Sequence, residues 1–164
     1  QISGKYEPAE MDKFVQLLSH LVMALEEDVT DVLGEIYMEA GMGSSATGQF
    51  FTPFHVSKMC ARLVDNLEKY KDNDDVILLN EPACGGGGMI IAEVSAMKDL
   101  GIDYQRRLDV TAQDLDWKGV YMCYLQLSIL GVKATVVQGN TITEPRIEDP
   151  ARMFYTPAKM GVLI

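Results

Sequence analysis

The chain is poor in the residues that build metal centres. Its 164 residues include three cysteines and two histidines, and Cys60, Cys84 and Cys123 form no C-x-x-C spacing. This pattern predicts no metal site, and three scattered thiols suit a reducing compartment. We therefore expect a cytoplasmic protein whose chemistry does not depend on a metal ion.

Long apolar runs and an excess of positive charge are also missing. No apolar stretch approaches the ~20 residues that span a bilayer, so we expect no membrane partner. The formal net charge is −10, and Arg106-Arg107 is the only adjacent basic pair. Because phosphate neutralisation supplies most of the affinity for DNA, the isolated chain is not expected to bind DNA.

The N-terminal quarter of the sequence predicts helices. An apolar stripe formed by Phe14, Leu17, Leu18, Leu21 and Leu25 predicts an amphipathic helix over residues 9–27. A second helix is expected over about 29–40, followed by a Gly/Ser-rich connector. We therefore divide the chain into an N-terminal helical segment, residues 1–47, and an α/β domain, residues 48–164.

Helices and strands alternate in the rest of the chain. A helix is expected after Pro53, followed by strand 76–80, helix 88–100, strand 108–113, helix 117–130 and strand 133–138. This β-α-β-α-β order predicts a parallel half of a doubly wound α/β sheet. The apolar residues 160–164 are a candidate fourth strand.

Four consecutive glycines, Gly85–Gly88, follow the first predicted strand and precede a helix. Glycines let a backbone approach a ligand, and a helix N-terminus presents free N–H groups. The dinucleotide fingerprint fails, because Ile90 or Ile91 stands where its third glycine belongs, and no phosphate-loop Lys-Ser or Lys-Thr pair follows. The carboxylate of Glu81 suits a ligand with an ammonium group better than a pyrophosphate. A tight turn without a ligand stays open as the alternative.

The run Glu81-Pro82-Ala83-Cys84-Gly85-Gly86-Gly87-Gly88 resembles the D-P-A-C-G-S-G-G loop of adenine-N6 DNA methyltransferases. The resemblance is closest to the methylation (M) subunits of type I restriction–modification systems. In that family the loop holds the methionine part of S-adenosylmethionine (SAM). The resemblance therefore implies cofactor contacts at Glu81, Pro82, Ala83, Gly85, Gly86 and Gly87. Two residues depart from the family pattern, Glu81 for Asp and Gly86 for Ser.

Further segments resemble the same family, in the order that the family predicts. They are Asp31-Val32-Leu33-Gly34-Glu35-Ile36-Tyr37, Gly48-Gln49-Phe50-Phe51-Thr52-Pro53, Ala112-Gln113-Asp114 and Gly139-Asn140-Thr141. The resemblance implies that Gln49, Phe50, Phe51, Thr52 and Pro53 cover SAM, that Asp114 binds the ribose, and that Asn140 lies near the adenine ring. Simpler readings stay open for Thr52-Pro53, as an ordinary helix start, and for Asp114 with Asp116, as a helix N-terminal pair.

The resemblance implies a Rossmann-like, SAM-dependent methyltransferase fold with a partial parallel sheet and an N-terminal helical extension. The intact enzyme would transfer the SAM methyl group to adenine N6. The family's [D/N]-P-P-[F/Y] tetrapeptide does not occur in the sequence, so we expect the chain alone to be inactive. DNA would be reached only through a partner, such as a restriction–modification subunit, or through a missing catalytic half. The alternative is a catalytically inactive interaction module, for which self-association is expected; a nicotinamide-dependent dehydrogenase is disfavoured.

Overall fold

The computed structural model describes residues 3–42, 50–64 and 66–162. Its helices are α1 (Pro8–Glu27), α2 (Val32–Glu39), α3 (Phe54–Val64), α4 (Gly88–Asp99), α5 (Tyr104–Arg107) and α6 (Trp117–Ile129). Its strands are β1 (Ile77–Glu81), β2 (Leu108–Asp114), β3 (Lys133–Gln138) and β4 (Met153–Tyr155). Short 3₁₀ helices cover Ser3–Lys5, Leu67–Tyr70 and Pro150–Arg152. In this part of the chain, no helix is both long and apolar enough to cross a membrane.

The four strands form one sheet in the order β1-β2-β3-β4. The pairs β1–β2 and β2–β3 are parallel, so their carboxyl ends meet at one edge of the sheet. Helix α4 connects β1 to β2 and helix α6 connects β2 to β3, as the alternation of patterns predicts. The α/β class and the parallel core are therefore confirmed.

The prediction of a fourth strand at residues 160–164 is wrong. Residues 157–161 form a turn, and residues 163–164 lie outside the described residues. The fourth strand is instead β4, which pairs antiparallel to β3, with Val136 opposite Phe154. A parallel return needs a crossover of about a dozen residues that usually includes a helix, and the connection to β4 contains only the short 3₁₀ helix Pro150–Arg152. The sheet is thus mixed at this edge.

One face of the sheet carries the core. Leu108, Val110, Ala134 and Val136 are fully buried under the connecting helices, as expected for strands whose alternate residues face a helical layer. On β1 the alternation leaves Leu78 81% exposed. Among the described residues, the sheet therefore has one helix-covered face and one open face.

The N-terminal helices join the same core. Leu21 and Leu25 of α1 are buried in the cluster that contains the sheet residues. Helix α2 begins at Val32 rather than at residue 29, because the Asp31 carboxylate accepts a hydrogen bond from the Gly34 N–H and so caps the helix. The other end of the predicted stripe is exposed, including Phe14, so the stripe is buried only over the last two turns of α1.

A buried arginine fixes the segment that leads into β1. The Arg107 side chain is 6% exposed. Its guanidinium donates hydrogen bonds to the Asp75 carbonyl (3.0 Å), the Tyr70 carbonyl (2.8 Å) and the Asn73 side-chain oxygen (2.8 Å). A guanidinium offers several donors in a fixed planar geometry, so a single side chain can hold three points of a turn.

Replacing Arg107 with methionine is expected to lower the free energy of unfolding by ~2–4 kcal/mol, because three charge-assisted hydrogen bonds are lost at once. Urea denaturation measures the change. The matched control is Arg106→Met, since the neighbouring Arg106 is exposed and a surface change of this kind costs less than ~0.5 kcal/mol. Equal losses in the two variants would contradict the anchoring role of Arg107.

Candidate functional site

The loops that follow β1, β2 and β3 are tied together at the carboxyl edge of the sheet. The Cys84 N–H donates to the Gln113 carbonyl at 2.9 Å, which joins the first loop to the end of β2. The Gly139 N–H donates to the Asp114 carbonyl at 2.8 Å, which joins the third loop to the same strand. In open α/β sheets, ligands bind outside the carboxyl ends of the strands, so this edge is the candidate site.

Asp114 connects the end of β2 to the glycine loop. One carboxylate oxygen accepts a hydrogen bond from the Gly85 N–H at 2.8 Å, and the other accepts from the Asp116 N–H at 2.8 Å. Asp116 is the N-cap residue of α6. The simpler interpretation, in which Asp114 and Asp116 are only acidic residues at a helix N-terminus, therefore explains part of the geometry. The half-buried Asp114 carboxylate also accepts the hydrogen bond from Gly85 in the glycine loop. A role at the helix N-terminus alone does not explain that contact.

The glycine loop uses conformations and spaces that larger residues would not tolerate. Gly85 has φ of +49° and Gly87 has φ of +96°, both in the left-handed region that favours glycine. A Cβ at Gly85 would lie 2.9 Å from the Phe51 ring, whereas a Cβ at Gly86 would meet nothing closer than 3.5 Å. Gly87 is the N-cap of α4. The loop is therefore tightly packed at Gly85 and has room at Gly86.

Phe51 lies directly over the glycine loop. Its ring stacks on Tyr37 of α2, with the centroids 5.1 Å apart, and its N–H donates to the Met38 sulfur at 3.5 Å. Phe51, one of the residues expected to cover the methionine end of SAM, therefore lies against the glycine loop at Gly85. Phe50, Thr52 and Pro53 are exposed and lie just before the start of α3, with Phe50 65% exposed. Gln49 lies outside the described residues.

Glu81 stands at the end of β1 beside the loop. One of its carboxylate oxygens accepts a hydrogen bond from the Ala83 N–H at 3.1 Å, which turns the exposed Pro82 and Ala83 away from the strand. A cavity of about 160 Å³ lies next to Glu81, between α4 and α3, with Met89 and Cys60 in its wall. This volume is below the ~300–1,000 Å³ of most ligand pockets, so this cavity alone is too small to enclose a ligand of the usual size.

Asn140 shapes the loop after β3. Its side-chain oxygen accepts hydrogen bonds from the Ile142 N–H (2.9 Å) and the Thr143 N–H (3.3 Å), which is the pattern of an Asx turn. The neighbouring Thr141 hydroxyl donates to the Pro82 carbonyl at 2.6 Å. The third loop is thus brought against the first, and Asn140 reaches the same edge as Glu81.

Three residues at this edge were missed by the sequence analysis. Leu115 and Ile142 are apolar yet 65% and 92% exposed. Leu115 follows Asp114 directly, and Ile142 follows Asn140 by two positions. Gly119 of α6 packs against the loop, because a Cβ there would lie 3.1 Å from the Gly85 carbonyl oxygen. Two features of the sequence could have indicated these residues. Leu115 and Ile142 are apolar residues one and two positions after the polar residues Asp114 and Asn140. Gly119 is a glycine inside a helix, which is unfavourable unless close packing requires it.

The two cysteines near the loop, Cys84 and Cys123, are buried. A hydrogen bond with the Cys84 side chain, reinforced by burial, raises the pKa of the Cys123 thiol well above its usual value. A nucleophilic cysteine needs a lowered pKa and access to solvent. Cys123 therefore serves packing against Gly87, and the described residues contain no cluster of three or more His, Cys, Asp or Glu side chains that could hold a metal ion.

A larger cavity of about 520 Å³ lies elsewhere, lined by Leu63 and Leu67 and by Ala96 and Leu100 at the C-terminal end of α4. Ala96 and Leu100 follow Gly88 by eight and twelve residues along α4 and its C-cap, so this cavity is about 12–18 Å from the glycine loop at a rise of ~1.5 Å per residue. It lacks the strand-end carboxylates and the glycine backbone, and size alone does not make it the functional site.

Comparison with known families assigns most of the chain to one family. The family model described as N-6 DNA Methylase matches residues 28–160. The chain belongs to the N-6 DNA Methylase family. It is accordingly of the SAM-dependent methyltransferase kind, and S-adenosylmethionine is the cofactor that this family membership implies. The matched region contains the glycine loop, Asp114 and Asn140.

Two individual proteins similar to this chain cover less of it than the family model does. The chain is 29% identical over 128 residues to the type I restriction enzyme MjaVIII methylase subunit of Methanocaldococcus jannaschii. The match covers 72% of this chain and 20% of that subunit, so the chain spans about a fifth of the length of this relative. A crystal structure of a candidate class I S-adenosylmethionine-dependent methyltransferase from Listeria monocytogenes aligns with a TM-score of 0.45 and 14% identity, covering 68% of this chain and 34% of that one.

Proposed function

We propose that the chain forms the SAM-binding part of an adenine-specific (N6) DNA methyltransferase, of the type I restriction–modification M-subunit kind. The observation that carries the proposal is the hydrogen bond between the Asp114 carboxylate and the Gly85 N–H, at the carboxyl edge of the parallel strands. It joins the acid expected at the ribose to the loop expected at the methionine. Membership of the N-6 DNA Methylase family supplies the reaction class.

The residues at this edge fit the chemical groups of SAM. Its amino-acid end carries an ammonium group, which suits the Glu81 carboxylate, and its ribose hydroxyls are donors that suit Asp114. The flat adenine ring needs apolar contacts, which exposed Leu115 and Ile142 offer next to Asn140. In this proposal Phe51, with Gln49, Phe50, Thr52 and Pro53, covers the methionine end.

SAM supplies a methyl group on a positively charged sulfur, and the chain contributes binding and orientation. Two strand-end carboxylates make the edge electrostatically favourable for a cationic ligand. The same negative charge, −10 over the whole chain, opposes DNA binding, because DNA affinity depends on positive side chains. In the proposed enzyme, DNA contact therefore comes from restriction–modification subunits or from further protein outside this sequence.

A second function of another class, a binding module without catalysis, is favoured by one observation. Among the described residues no strand pairs with the outer edge of β1, and Val76 and Leu78 beside it are 61% and 81% exposed. An unpaired edge with apolar side chains is a template for another chain. Light scattering distinguishes the two functions: dimers that persist without SAM binding favour the module.

The proposal predicts saturable, one-site binding of SAM to the purified protein in a calorimetric titration. Trp117 offers a parallel fluorescence signal, because it follows Asp114 by three residues in the sequence and stacks on Tyr121 with the centroids 5.5 Å apart. S-adenosylhomocysteine, which keeps the ribose and adenine, is expected to compete, whereas NAD⁺ is expected not to. An absence of binding at millimolar SAM would contradict the proposal.

A further inference from the structure

Two buried polar side chains outside the proposed ligand contacts connect the N-terminal segment to the glycine loop. Gln126 of α6 is fully buried and Asp31 is 3% exposed. The Gln126 side-chain amide donates one hydrogen bond to the Asp31 carboxylate at 2.8 Å and another to the Gly86 carbonyl at 2.9 Å. A single amide group therefore bridges a residue before α2 and the centre of the loop.

The remaining polar atoms of this pair hold α2. The Gln126 side-chain oxygen accepts from the Leu33 N–H at 3.0 Å, and the Asp31 carboxylate accepts from the Gly34 N–H at 3.0 Å. A glutamine amide has two donor hydrogens and an acceptor oxygen, and here both the nitrogen and the oxygen are engaged. A buried polar group is costly unless it has hydrogen-bond partners, and Gln126 and Asp31 supply such partners to each other.

The backbone at Gly34 and at Gly88 lies so close to the Asp31 carboxylate that neither position has room for a side chain. A Cβ at Gly88 would lie 2.7 Å from an Asp31 carboxylate oxygen, and a Cβ at Gly34 would overlap the same carboxylate. A Cβ at Gly86 would lie 3.5 Å from the Gly34 Cα. Glycines in α2 and in the loop thus face each other across the Asp31 carboxylate, which also lies at the N-terminus of α4, where the helix dipole favours negative charge.

We propose that Asp31 and Gln126 are positioning residues that hold the Gly86–Gly88 backbone in its ligand-binding conformation, so that SAM affinity depends on the N-terminal helical segment. The inference rests on the proposed function for its ligand. Consecutive glycines have a large conformational freedom that must be removed before they can contact a ligand. Asp114 restrains Gly85 from β2, and Gln126 restrains Gly86 from α6.

The test compares Gln126→Met with Val132→Ala. Methionine has a similar length and keeps the packing, but it cannot donate to Gly86 or Asp31. Val132 is fully buried just before β3, at the opposite end of the strand from the site, so its truncation lowers stability without touching the loop. At a temperature where both variants are folded, Gln126→Met is expected to raise the Kd for SAM about tenfold, because one of the three buried hydrogen bonds that it loses is the restraint on Gly86. Val132→Ala is expected to leave the Kd within about twofold.

A second measurement needs no variant that might fail to fold. Coupling between two sites is reciprocal, so SAM must also stabilise the hydrogen bonds at the N-terminal segment. Amide hydrogen exchange of Leu33 and Gly34 in the unaltered protein is expected to slow several-fold when SAM is added. Unchanged exchange at these amides, or an equal Kd for the Gln126→Met and unaltered proteins, overturns the inference.

Failure of the proposed function is recognised separately. If the unaltered protein binds no SAM, the ligand assignment fails, while amide exchange at Gly86–Gly88 still tests the restraint. Gln126→Met is then expected to exchange these amides about tenfold faster than Val132→Ala. Equal exchange in the two variants would show that Gln126 stabilises the fold as a whole and does not position the loop.

Discussion

Asp114→Ala is expected to weaken SAM binding about a hundredfold or more. The substitution removes the acceptor proposed for the ribose hydroxyls and also the hydrogen bond to the Gly85 N–H. Each hydrogen bond to a charged group contributes ~1.5–3 kcal/mol, so the loss of the two proposed bonds to the ribose hydroxyls corresponds to at least a hundredfold in Kd. Calorimetric titration measures the change, and Asp114→Asn, which keeps an acceptor oxygen, should lose less.

The matched control for Asp114 is Asp109→Ala. Asp109 belongs to the same strand but lies at its other end, where its carboxylate pairs with the Lys159 ammonium at 2.6 Å. A partly exposed ion pair of this kind contributes ~0–1 kcal/mol to stability and nothing to a ligand at the far edge. Comparable losses of SAM affinity in Asp109→Ala and Asp114→Ala would contradict the assigned role of Asp114.

The second large effect is expected from Gly85→Ser, compared with Gly86→Ser. At Gly85 the left-handed φ of +49° costs a non-glycine residue ~1–2 kcal/mol, and the new Cβ would also displace the Phe51 ring, 2.9 Å away. We expect the unfolding free energy to fall by ~2–3 kcal/mol and SAM binding to weaken strongly, since Phe51 is part of the proposed cover.

Gly86→Ser is the control, because it introduces the same side chain one residue later. Gly86 is outside the left-handed region, and the nearest atoms to its Cβ are at 3.5 Å, which is ordinary contact. The unfolding free energy is expected to change by less than ~0.5 kcal/mol. Serine is also the residue of the resembling family loop at this position. Chemical denaturation and SAM titration of both variants decide the matter, and a Gly85→Ser protein as stable as Gly86→Ser would refute the packing argument.

Periodicity in the sequence predicted most of the fold. The bounds of α1, α4, α6 and β1–β3 agree with the expectations to within one residue. These elements have long and regular apolar patterns, which local sequence can specify. Strand β4 has three residues and an antiparallel partner, so its existence depends on the position of β3 and not on its own pattern. The apolar residues at 160–164 had the composition of a strand but no such partner among the described residues.

From the sequence, the candidate site could be predicted only as a series of motifs along the chain, without the contacts between them. Sequence placed Glu81, the glycines and Asp114 at the ends of neighbouring strands, and the carboxyl edge brings them together. It could not show that Gln126 faces Asp31, because these residues are 95 positions apart and a glutamine in a helix usually faces solvent. The specific SAM contacts, the division at residue 47 and the cytoplasmic location stay predictions.

The hydrogen bonds that hold the glycine loop also affect the rate at which a ligand can bind. Because Asp114 and Gln126 already bond to Gly85 and Gly86, the loop is ordered when the chain folds and not when a ligand arrives. A preorganised site loses little conformational entropy on association, and its on-rate is not slowed by a prior rearrangement. If SAM binds here as proposed, its exchange is then governed by how fast it leaves and not by how fast the loop becomes ordered.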